Sequence, residues 1–217
     1  MHQSSIPEEL IYADDADFIT TKKSRKNKLS SIVTKSLLKH NLKVNDSKTE
    51  YTTLKRNSKD KEEWRKVKKL GSLIGDAEDI MQRKQLSIVA MRKFESIWIR
   101  KNKIRPQIRL KLYKSIVKPV LLYNSSTWGL TKTDEDNLDS FHRRQLRSVL
   151  HIKFPTIIRN NELYESTGEI PLSLTVLQSR WRLFGNILRL NNDAPARKSI
   201  EYYFKPSNQR KFRGRQR

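Results

Sequence analysis

The feature that most constrains the fold of this chain is a change in apolar periodicity at Gly75. Before that residue, short apolar runs alternate with turn-forming residues, a pattern typical of β-hairpins. After it, apolar side chains recur three and four positions apart as far as Leu188, a pattern typical of amphipathic helices. The chain is therefore predicted to be α+β: an α/β segment at 1–75, an all-α segment at 76–200, and a basic, disordered tail at 201–217.

The first part of the α/β segment predicts a hairpin followed by a helix. Leu10–Tyr12 and Phe18–Thr20 favour strand and flank a turn that contains adjacent aspartates. A helix is predicted from about Ser24 to His40, because apolar side chains lie three, four and eight positions after Leu29. Asn41 can end this helix in the left-handed conformation.

The second part of the α/β segment predicts two further strand pairs. Leu42–Val44 and Glu50–Leu54 read as strands joined by Asn45–Ser47. Trp64–Ile74 reads as a hairpin in which Gly71 allows a close backbone approach.

Four helices are predicted after Gly75. Asp76 is the expected N-cap of the first, Pro106 lies in the first turn of the second, and Thr133 caps the third. Trp128, between the second and third helices, is also expected in the core. The side chains that the four helices are expected to bury are, in chain order, Ile80, Ser87, Ile88, Met91, Phe94 and Trp98; Ile108, Leu112 and Ile116; Leu138, Phe141, His142, Leu146, Val149 and Leu150; and Leu174, Leu177, Trp181, Phe184 and Leu188.

Charge is segregated along the chain. It carries 46 Lys and Arg against 23 Asp and Glu, a formal net charge of +23. Residues 1–19 contain five acidic residues and no Lys or Arg, whereas residues 92–118 contain ten basic residues and one acidic residue. A surface that only keeps a protein in solution mixes the two signs more evenly, although a basic cluster can also be a merely solvated face. The segregation favours a polyphosphate partner.

Several classes of protein are excluded. The chain has no cysteine, which excludes a disulfide scaffold and a zinc site built from Cys, and its four histidines are too far apart for a metal motif. No apolar run approaches the roughly 20 residues of a membrane helix, and no signal-peptide pattern precedes Tyr12. We therefore expect an intracellular protein, nuclear and cytoplasmic rather than secreted, with no membrane partner.

Tyr12-Ala13-Asp14-Asp15 is the part of the sequence best suited to chemistry. Two adjacent carboxylates repel each other, and a cation offsets that cost. Mg²⁺ prefers oxygen ligands of this kind, and a pair of such ions can promote transfer to and from phosphates. The alternative is that the two aspartates form an ordinary solvated turn.

Several motifs resemble those of reverse transcriptases and occur in the same order as in that family. Tyr12-Ala13-Asp14-Asp15 resembles their catalytic hairpin, and Asn41–Glu50 resembles the next palm motif of non-LTR, LINE-type retrotransposon enzymes. Leu70–Ile74 resembles the hairpin that grips the primer terminus. The resemblance covers about residues 8–190, and three later segments are similar to the helical region after the palm: Leu121–Trp128, Phe141–Arg147 and Phe184–Arg189.

The resemblance implies an incomplete polymerase palm at 1–75, made of β-hairpins plus one helix, followed by an all-α thumb and connection region. The family's other metal-binding Asp lies on a palm strand well before the catalytic hairpin, and nothing before Tyr12 resembles that strand. We therefore expect the C-terminal palm and thumb part of an RNA-directed DNA polymerase, inactive on its own.

The resemblance also assigns roles to individual residues. Asp14 would ligate Mg²⁺ or Mn²⁺, Asp15 would help to position the metal or the primer end, and Tyr12 would shape the site beside the primer. Lys48 would face the incoming triphosphate, unless it is an ordinary exposed strand lysine. Gly71 would let the backbone approach the primer strand.

The implied partners are an RNA template, a DNA primer and the missing N-terminal part of the polymerase. Six basic residues would contact the template–primer backbone without reading its sequence: Arg100, Lys101, Lys103, Arg105, Arg109 and Lys111. Two alternatives stay open, namely a non-catalytic nucleic-acid-binding remnant and a helical module that binds another protein through the Leu174–Leu188 stripe.

Overall fold

The computed structural model describes residues 9–12, 15–20, 23–45, 47–52, 63–96 and 103–204. Helices dominate these ranges, and their β-structure consists of two small antiparallel hairpins, which confirms the α+β class. The described residues form two compact units: those up to Tyr51 together with those from Ile187 onward, and those from Thr52 to Asn186.

The elements are numbered in chain order. They are β1 (Glu9–Tyr12), β2 (Asp15–Phe18), α1 (Lys23–Leu38), β3 (Lys68–Lys69), β4 (Ser72–Leu73), α2 (Asp76–Lys93), α3 (Pro106–Leu112), α4 (Lys118–Leu121), α5 (Lys132–Leu150), α6 (Asn160–Thr167), α7 (Leu172–Leu188) and α8 (Pro195–Phe204). A π-helical turn at Tyr113–Val117 joins α3 to α4, and short 3-10 turns lie at Glu63–Lys66 and Ser125–Thr127.

The first hairpin and the first helix are confirmed, but the second strand lies at Asp15–Phe18, three residues before its predicted position at Phe18–Thr20. β1 pairs with β2, and α1 ends close to the predicted position. Asn41 adopts the left-handed conformation, with φ of 56°. The Asn41 amide donates to the Leu38 carbonyl at 3.1 Å, and the Leu42 amide donates to the Leu37 carbonyl at 3.0 Å. These two bonds form a Schellman motif, so the prediction for Asn41 is confirmed.

The strands predicted on either side of Asn45 are wrong for the described residues there. Residues 42–45 and 47–52 contain no strand. A local turn forms instead, in which the Lys48 amide and the Thr49 hydroxyl both donate to the Asn45 carbonyl. Leu42 is 55% exposed, so its flank has little apolar contact to hold it against a partner strand.

The second hairpin is confirmed, and it belongs to the helical unit. β3 and β4 are joined by Leu70 and Gly71, which have φ of 47° and 81°. Positive φ at both central residues is typical of a type I′ turn, whose twist matches that of the flanking strands. The sequence predicts a domain boundary after residue 75, whereas the structure groups this hairpin with α2 to α6 and with α7 as far as Asn186.

Helix α2 begins one residue earlier than a capping role for Asp76 requires. Gly75 is the N-cap, and Asp76 is the first helical residue. The Asp76 carboxylate instead accepts a hydrogen bond from the Gly129 amide at 3.0 Å. The first turn of α2 is acidic, because Glu78 and Asp79 follow Asp76 near the positive end of the helix dipole.

The N-cap of α5 lies two positions before the predicted one. Thr131 caps the helix: its hydroxyl accepts from the Asp134 amide, and the Asp134 carboxylate accepts from the Thr131 amide. Thr133 is the second helical residue, so the prediction for it is wrong. Asp134, three positions after Thr131, completes a reciprocal capping box, although Asp136 has the same spacing from Thr133.

The helical stretch from Pro106 to Leu121 buries a different face from the predicted one. Ile108 and Ile116 are 51% and 36% exposed, and the buried apolar residues are Leu110, Tyr113, Val117 and Leu121. Both faces carry apolar residues at helical spacing, so periodicity alone does not choose between them. The helix also continues past Pro119, because the π-helical turn accommodates the missing proline N–H and its bulky ring.

The core of the second unit consists of two clusters of buried side chains. One contains Ile80, Leu121, Trp128, Leu130, Leu138, Phe141, Leu172 and Val176. The other contains Leu110, Tyr113, Val117, Leu146, Val149 and Leu163. Most of the predicted face of α5 lies in these clusters and is confirmed.

The tryptophans expected in the core behave differently from one another. Trp128 is 1% exposed, as predicted, whereas Trp181 is 65% exposed, and Trp98 lies outside the described residues. Helix α7 packs on the core through Leu172 and Val176. Its predicted apolar stripe therefore faces outward.

Candidate nucleic-acid interface

The acidic hairpin forms with a defined register. Tyr12 pairs with Asp15 at the turn end of β1 and β2, and the Tyr12 side chain is 67% exposed. Asp14 and the side chain of Asp15 lie outside the described residues. The structure thus provides the hairpin and an exposed tyrosine at its end, while the predicted metal ligation by Asp14 and Asp15 stays a prediction.

Lys48 lies in a turn, not on a strand face. Its amide donates to the Asn45 carbonyl at 3.1 Å, and its side chain is exposed. The Ser47 hydroxyl donates to the Asn45 side chain at 2.6 Å, which further orders this turn. Lys48 and Tyr12 belong to the first unit, whereas Gly71 and the described basic residues of the 103–111 stretch belong to the second.

Gly71 lies in the exposed turn of the second hairpin. Its φ of 81° disfavours any residue with a side chain. A Cβ atom there would lie 3.7 Å from the Tyr123 ring, which is an ordinary contact. The backbone conformation, more than lack of space, therefore requires glycine at this position.

Two side chains hold this turn from the helical side. The Arg83 guanidinium donates to the Gly71 carbonyl at 2.5 Å and to the Ser72 hydroxyl at 2.9 Å. The Tyr123 hydroxyl donates to the Leu70 carbonyl at 2.8 Å. Arg83 also lies over the Tyr123 ring, 4.4 Å from its centroid, in a cation–π contact. The turn is thus tied to α2 and to the segment after α4.

Asp79 is the centre of this polar network. Its carboxylate accepts from the Leu73 amide at 2.9 Å and from the Trp128 indole at 2.8 Å, and it forms an ion pair with Arg83 at 3.6 Å. The side chains of Asp79 and Arg83 are 1% and 8% exposed. A buried charge is costly unless it is paired and hydrogen-bonded. Here the two charges form an ion pair, and each takes its hydrogen bonds from other groups: Asp79 from Leu73 and Trp128, and Arg83 from the turn of the second hairpin.

Sequence reasoning missed Asp79, Arg83 and Tyr123. The spacing of Asp79 and Arg83, four positions apart within a predicted helix, was the available signal. That spacing alone is equally typical of an exposed ion pair. Only the contact with β3–β4 shows that this pair is buried.

The predicted basic contacts divide into three groups. Lys103, Arg105 and Lys111 are exposed, as contact with a phosphate backbone requires. Arg109 is 1% exposed, so it is not the surface cation that the sequence predicted. Burial lowers the pKa of Arg109, and its Nε and Nη1 atoms have no hydrogen-bond partner. Arg100 and Lys101 lie outside the described residues.

Lys111 borders an open groove of about 570 Å³ between α3 and the end of α6. The lining residues are Gln107, Leu110, Lys111, Lys114, Ser115, Ser166, Thr167 and Gly168. The Lys114 ammonium is occupied, because it donates to the Thr167 carbonyl at 2.8 Å and forms an ion pair with Glu169 at 3.4 Å. Lys111 therefore supplies the exposed positive charge at this groove.

A second polar cluster is centred on the buried carboxylate of Glu169, whose side chain is 3% exposed. Glu169 forms ion pairs with Lys114 and Lys118, and its carboxylate lies 3.7 Å from His142 Nε2. His142 is 0% exposed, stacks on Tyr113, and has no hydrogen-bond partner at either ring nitrogen. Burial, with a smaller effect of Lys118, lowers the pKa of His142 to about 3. The imidazole is neutral at pH 7 and serves packing.

Within the ranges that the structure describes, no group of three or more His, Cys, Asp or Glu side chains is arranged to hold a metal ion. Among the same residues, no helix has both the length and the apolar character needed to cross a membrane.

Comparisons of the chain with protein-family models, with curated proteins and with solved structures gave no significant match. The similarity to reverse transcriptases therefore rests on the motifs in the sequence.

Proposed function

We propose that this chain is a nucleic-acid-binding polymerase fragment of the reverse-transcriptase type, whose partners are an RNA template and a DNA primer. The observation that carries the proposal is the register of β1 with β2, in which Tyr12 lies opposite Asp15. This register puts Tyr12 and Asp15, the two ends of the motif, at the turn end of an antiparallel hairpin, and a hairpin is what the resemblance implies.

The second hairpin supports the same proposal. Leu70 and Gly71 form an exposed turn, as a backbone that approaches a primer strand requires. Arg83, Tyr123 and Asp79 hold that turn on a helical base. A positioned turn loses less conformational freedom when a ligand binds than a mobile one does.

The charge of the molecule supports binding to phosphates. The chain has a formal net charge of +23, and Lys103, Arg105 and Lys111 are exposed within the most basic stretch. Such a surface binds nucleic acid through the phosphate backbone, with affinity that depends on salt and little on base sequence.

The two-metal chemistry of the family would require Mg²⁺ or Mn²⁺ at Asp14 and Asp15. Asp14 and the side chain of Asp15 lie outside the described residues, so metal binding by them stays a prediction. The proposal for this chain is accordingly nucleic-acid binding, and no catalytic step is assigned to its described residues.

Fluorescence anisotropy of the full chain with a labelled RNA–DNA hybrid tests the proposal. If the protein neutralises about six phosphates, a rise from 50 to 200 mM salt should weaken binding roughly a thousandfold. Replacement of Lys103, Arg105 and Lys111 together by Gln should reduce the number of counterions released on binding by about two to three. The slope of the logarithm of the binding constant against the logarithm of the salt concentration should then be less steep by about 2–3 units.

The matched control removes the same charge elsewhere in the second unit. Lys132, Arg144 and Lys153 are exposed residues outside the basic stretch, and their replacement by Gln should leave the slope nearly unchanged. Equal effects of the two triple variants would show that the contacts are spread over the surface. Absence of binding at 50 mM salt would contradict the proposed function.

A further inference from the structure

We propose that Trp181 is a stacking platform for an unpaired base of single-stranded nucleic acid, with Arg180 and Arg182 contacting the adjoining phosphates. The inference rests on the proposed function, since it identifies the part of the chain that binds single strands. It gives a role to an aromatic side chain that the core does not use.

The position of Trp181 on α7 leaves its indole in solvent. Leu172 and Val176 anchor the helix on the core, and Trp181 follows Leu172 by nine residues, which is half a turn around the helix axis at 3.6 residues per turn. The indole is 65% exposed, against 1% for Trp128. Exposure of so large an apolar surface is unfavourable in the free protein, and a flat ligand would cover it.

A neighbouring ring holds the indole. Phe184 makes an edge-on contact with Trp181, with ring centroids 5.8 Å apart and planes at 85°. This contact restricts the rotation of the indole. A restrained aromatic side chain loses little entropy when a base stacks on it, which favours binding.

The charges around Trp181 favour nucleic acid over a protein partner. Arg180 and Arg182 precede and follow it, so they project about 100° to either side of the indole on the helix. Both are exposed, no described carboxylate forms an ion pair with either, and α7 contains no acidic residue. An aromatic ring between cations is the usual arrangement for sequence-tolerant binding of single strands, whereas leucines alone would suit an apolar protein surface.

The test compares three variants of the full chain. Trp181→Leu removes the ring but keeps an apolar side chain, Trp181→Phe keeps a ring, and Leu177→Ala removes a nearby side chain that is 46% exposed. The ligands are oligo(dT), an abasic oligonucleotide with the same number of phosphates, and a DNA duplex of equal length. Anisotropy at fixed salt gives each affinity, and circular dichroism checks that the helices are intact.

Trp181→Leu is expected to weaken oligo(dT) binding roughly tenfold, within the range measured for one base–aromatic stack, and to change duplex and abasic binding less than about twofold. Trp181→Phe should recover most of the loss, and Leu177→Ala should bind oligo(dT) like the original chain. If all three ligands weaken equally in Trp181→Leu, the side chain supports the fold and stacks on no base.

The remaining outcomes separate this inference from the proposed function. Normal oligo(dT) binding by Trp181→Leu overturns the stacking platform and leaves nucleic-acid binding intact. Failure of the original chain to bind all three ligands overturns both. A concentration-dependent dimer that Trp181→Leu abolishes, with unchanged oligo(dT) affinity, would assign this face to a second copy of the chain and overturn the inference.

Discussion

The indole of Trp128 donates a hydrogen bond to the carboxylate of Asp79 at 2.8 Å, and both residues are 1% exposed. Trp128 belongs to the segment after α4, whereas Asp79 lies in the first turns of α2 and also accepts from Leu73 of the second hairpin. One buried carboxylate thus joins three parts of the second unit. Its removal should destabilise the contacts between all three parts.

Replacement of Asp79 by Ala should lower the free energy of unfolding by about 3–5 kcal/mol, because it leaves the Arg83 guanidinium buried without its ion pair. Urea denaturation measures the change. Asp136→Ala is the matched control, since that carboxylate is 66% exposed and an ion pair between exposed side chains contributes little to stability. Equal losses in the two variants would contradict the central role of Asp79.

Leu70→Asn should stabilise the protein by about 0.5–1 kcal/mol. Leu70 has φ of 47°, a conformation that leucine disfavours and asparagine tolerates, and Asn-Gly is a preferred pair for a type I′ turn. The hydrogen bond from Tyr123 goes to the backbone carbonyl of residue 70, so it survives the change.

Leu86→Asn is the comparison for this variant. Leu86 is 41% exposed in α2, where asparagine is a poorer helix former, and its replacement should destabilise the protein slightly. Thermal unfolding of the two variants beside the original chain measures the difference. A lower melting temperature for Leu70→Asn would show that the leucine side chain contributes more than its strained backbone costs.

His142 should make the protein sensitive to acid. Its pKa is about 3 in the folded state, against about 6.5 in an unfolded chain. Between these values the unfolded chain binds a proton that the folded chain does not. The contribution of His142 to the free energy of unfolding is therefore complete above pH 6.5 and falls as the pH drops towards 3. Between pH 7 and pH 5 the free energy of unfolding should decrease by about 2 kcal/mol.

His142→Gln should remove this part of the pH dependence, measured as the free energy of unfolding in urea at several pH values. The charged groups around the site, Lys114, Lys118, Arg143 and Glu169, stay in place in the variant. His40→Gln is the control. Because His40 is exposed, its replacement should leave the dependence of unfolding free energy on pH unchanged. A His142→Gln profile that matches the original one would rule out this origin of acid sensitivity.

The chain by itself should not extend a primer in Mg²⁺ or Mn²⁺. Asp14 and Asp15 come from one hairpin, whereas the family resemblance implies a further metal-binding aspartate on an earlier strand, and catalysis by two metals depends on ligands that face each other across the ions. Extension of a labelled primer on an RNA template is the measurement. Templated products that Asp14→Asn abolishes would show that the two aspartates suffice.

Features that depend on neighbouring residues in the chain were predictable from the sequence. The hairpin at β1 and β2, the left-handed Asn41 and the Leu70-Gly71 turn follow from side chains that favour or tolerate particular backbone angles. Pro106 at the start of α3 has the same kind of cause. Helix starts were less accurate, because Thr131 and Thr133 are each followed three positions later by an aspartate, so the capping-box pattern alone does not choose between them.

Features that depend on which surfaces meet were decided by the tertiary structure alone. The sequence predicts both Trp128 and Trp181 in the core, yet one is in the core and the other is in solvent. Arg109 reads as a surface cation beside Lys111, but packing buries it. The physical reason is that periodicity gives the relative phase of side chains around one helix, whereas the choice of buried face depends on contacts with distant segments that periodicity does not encode.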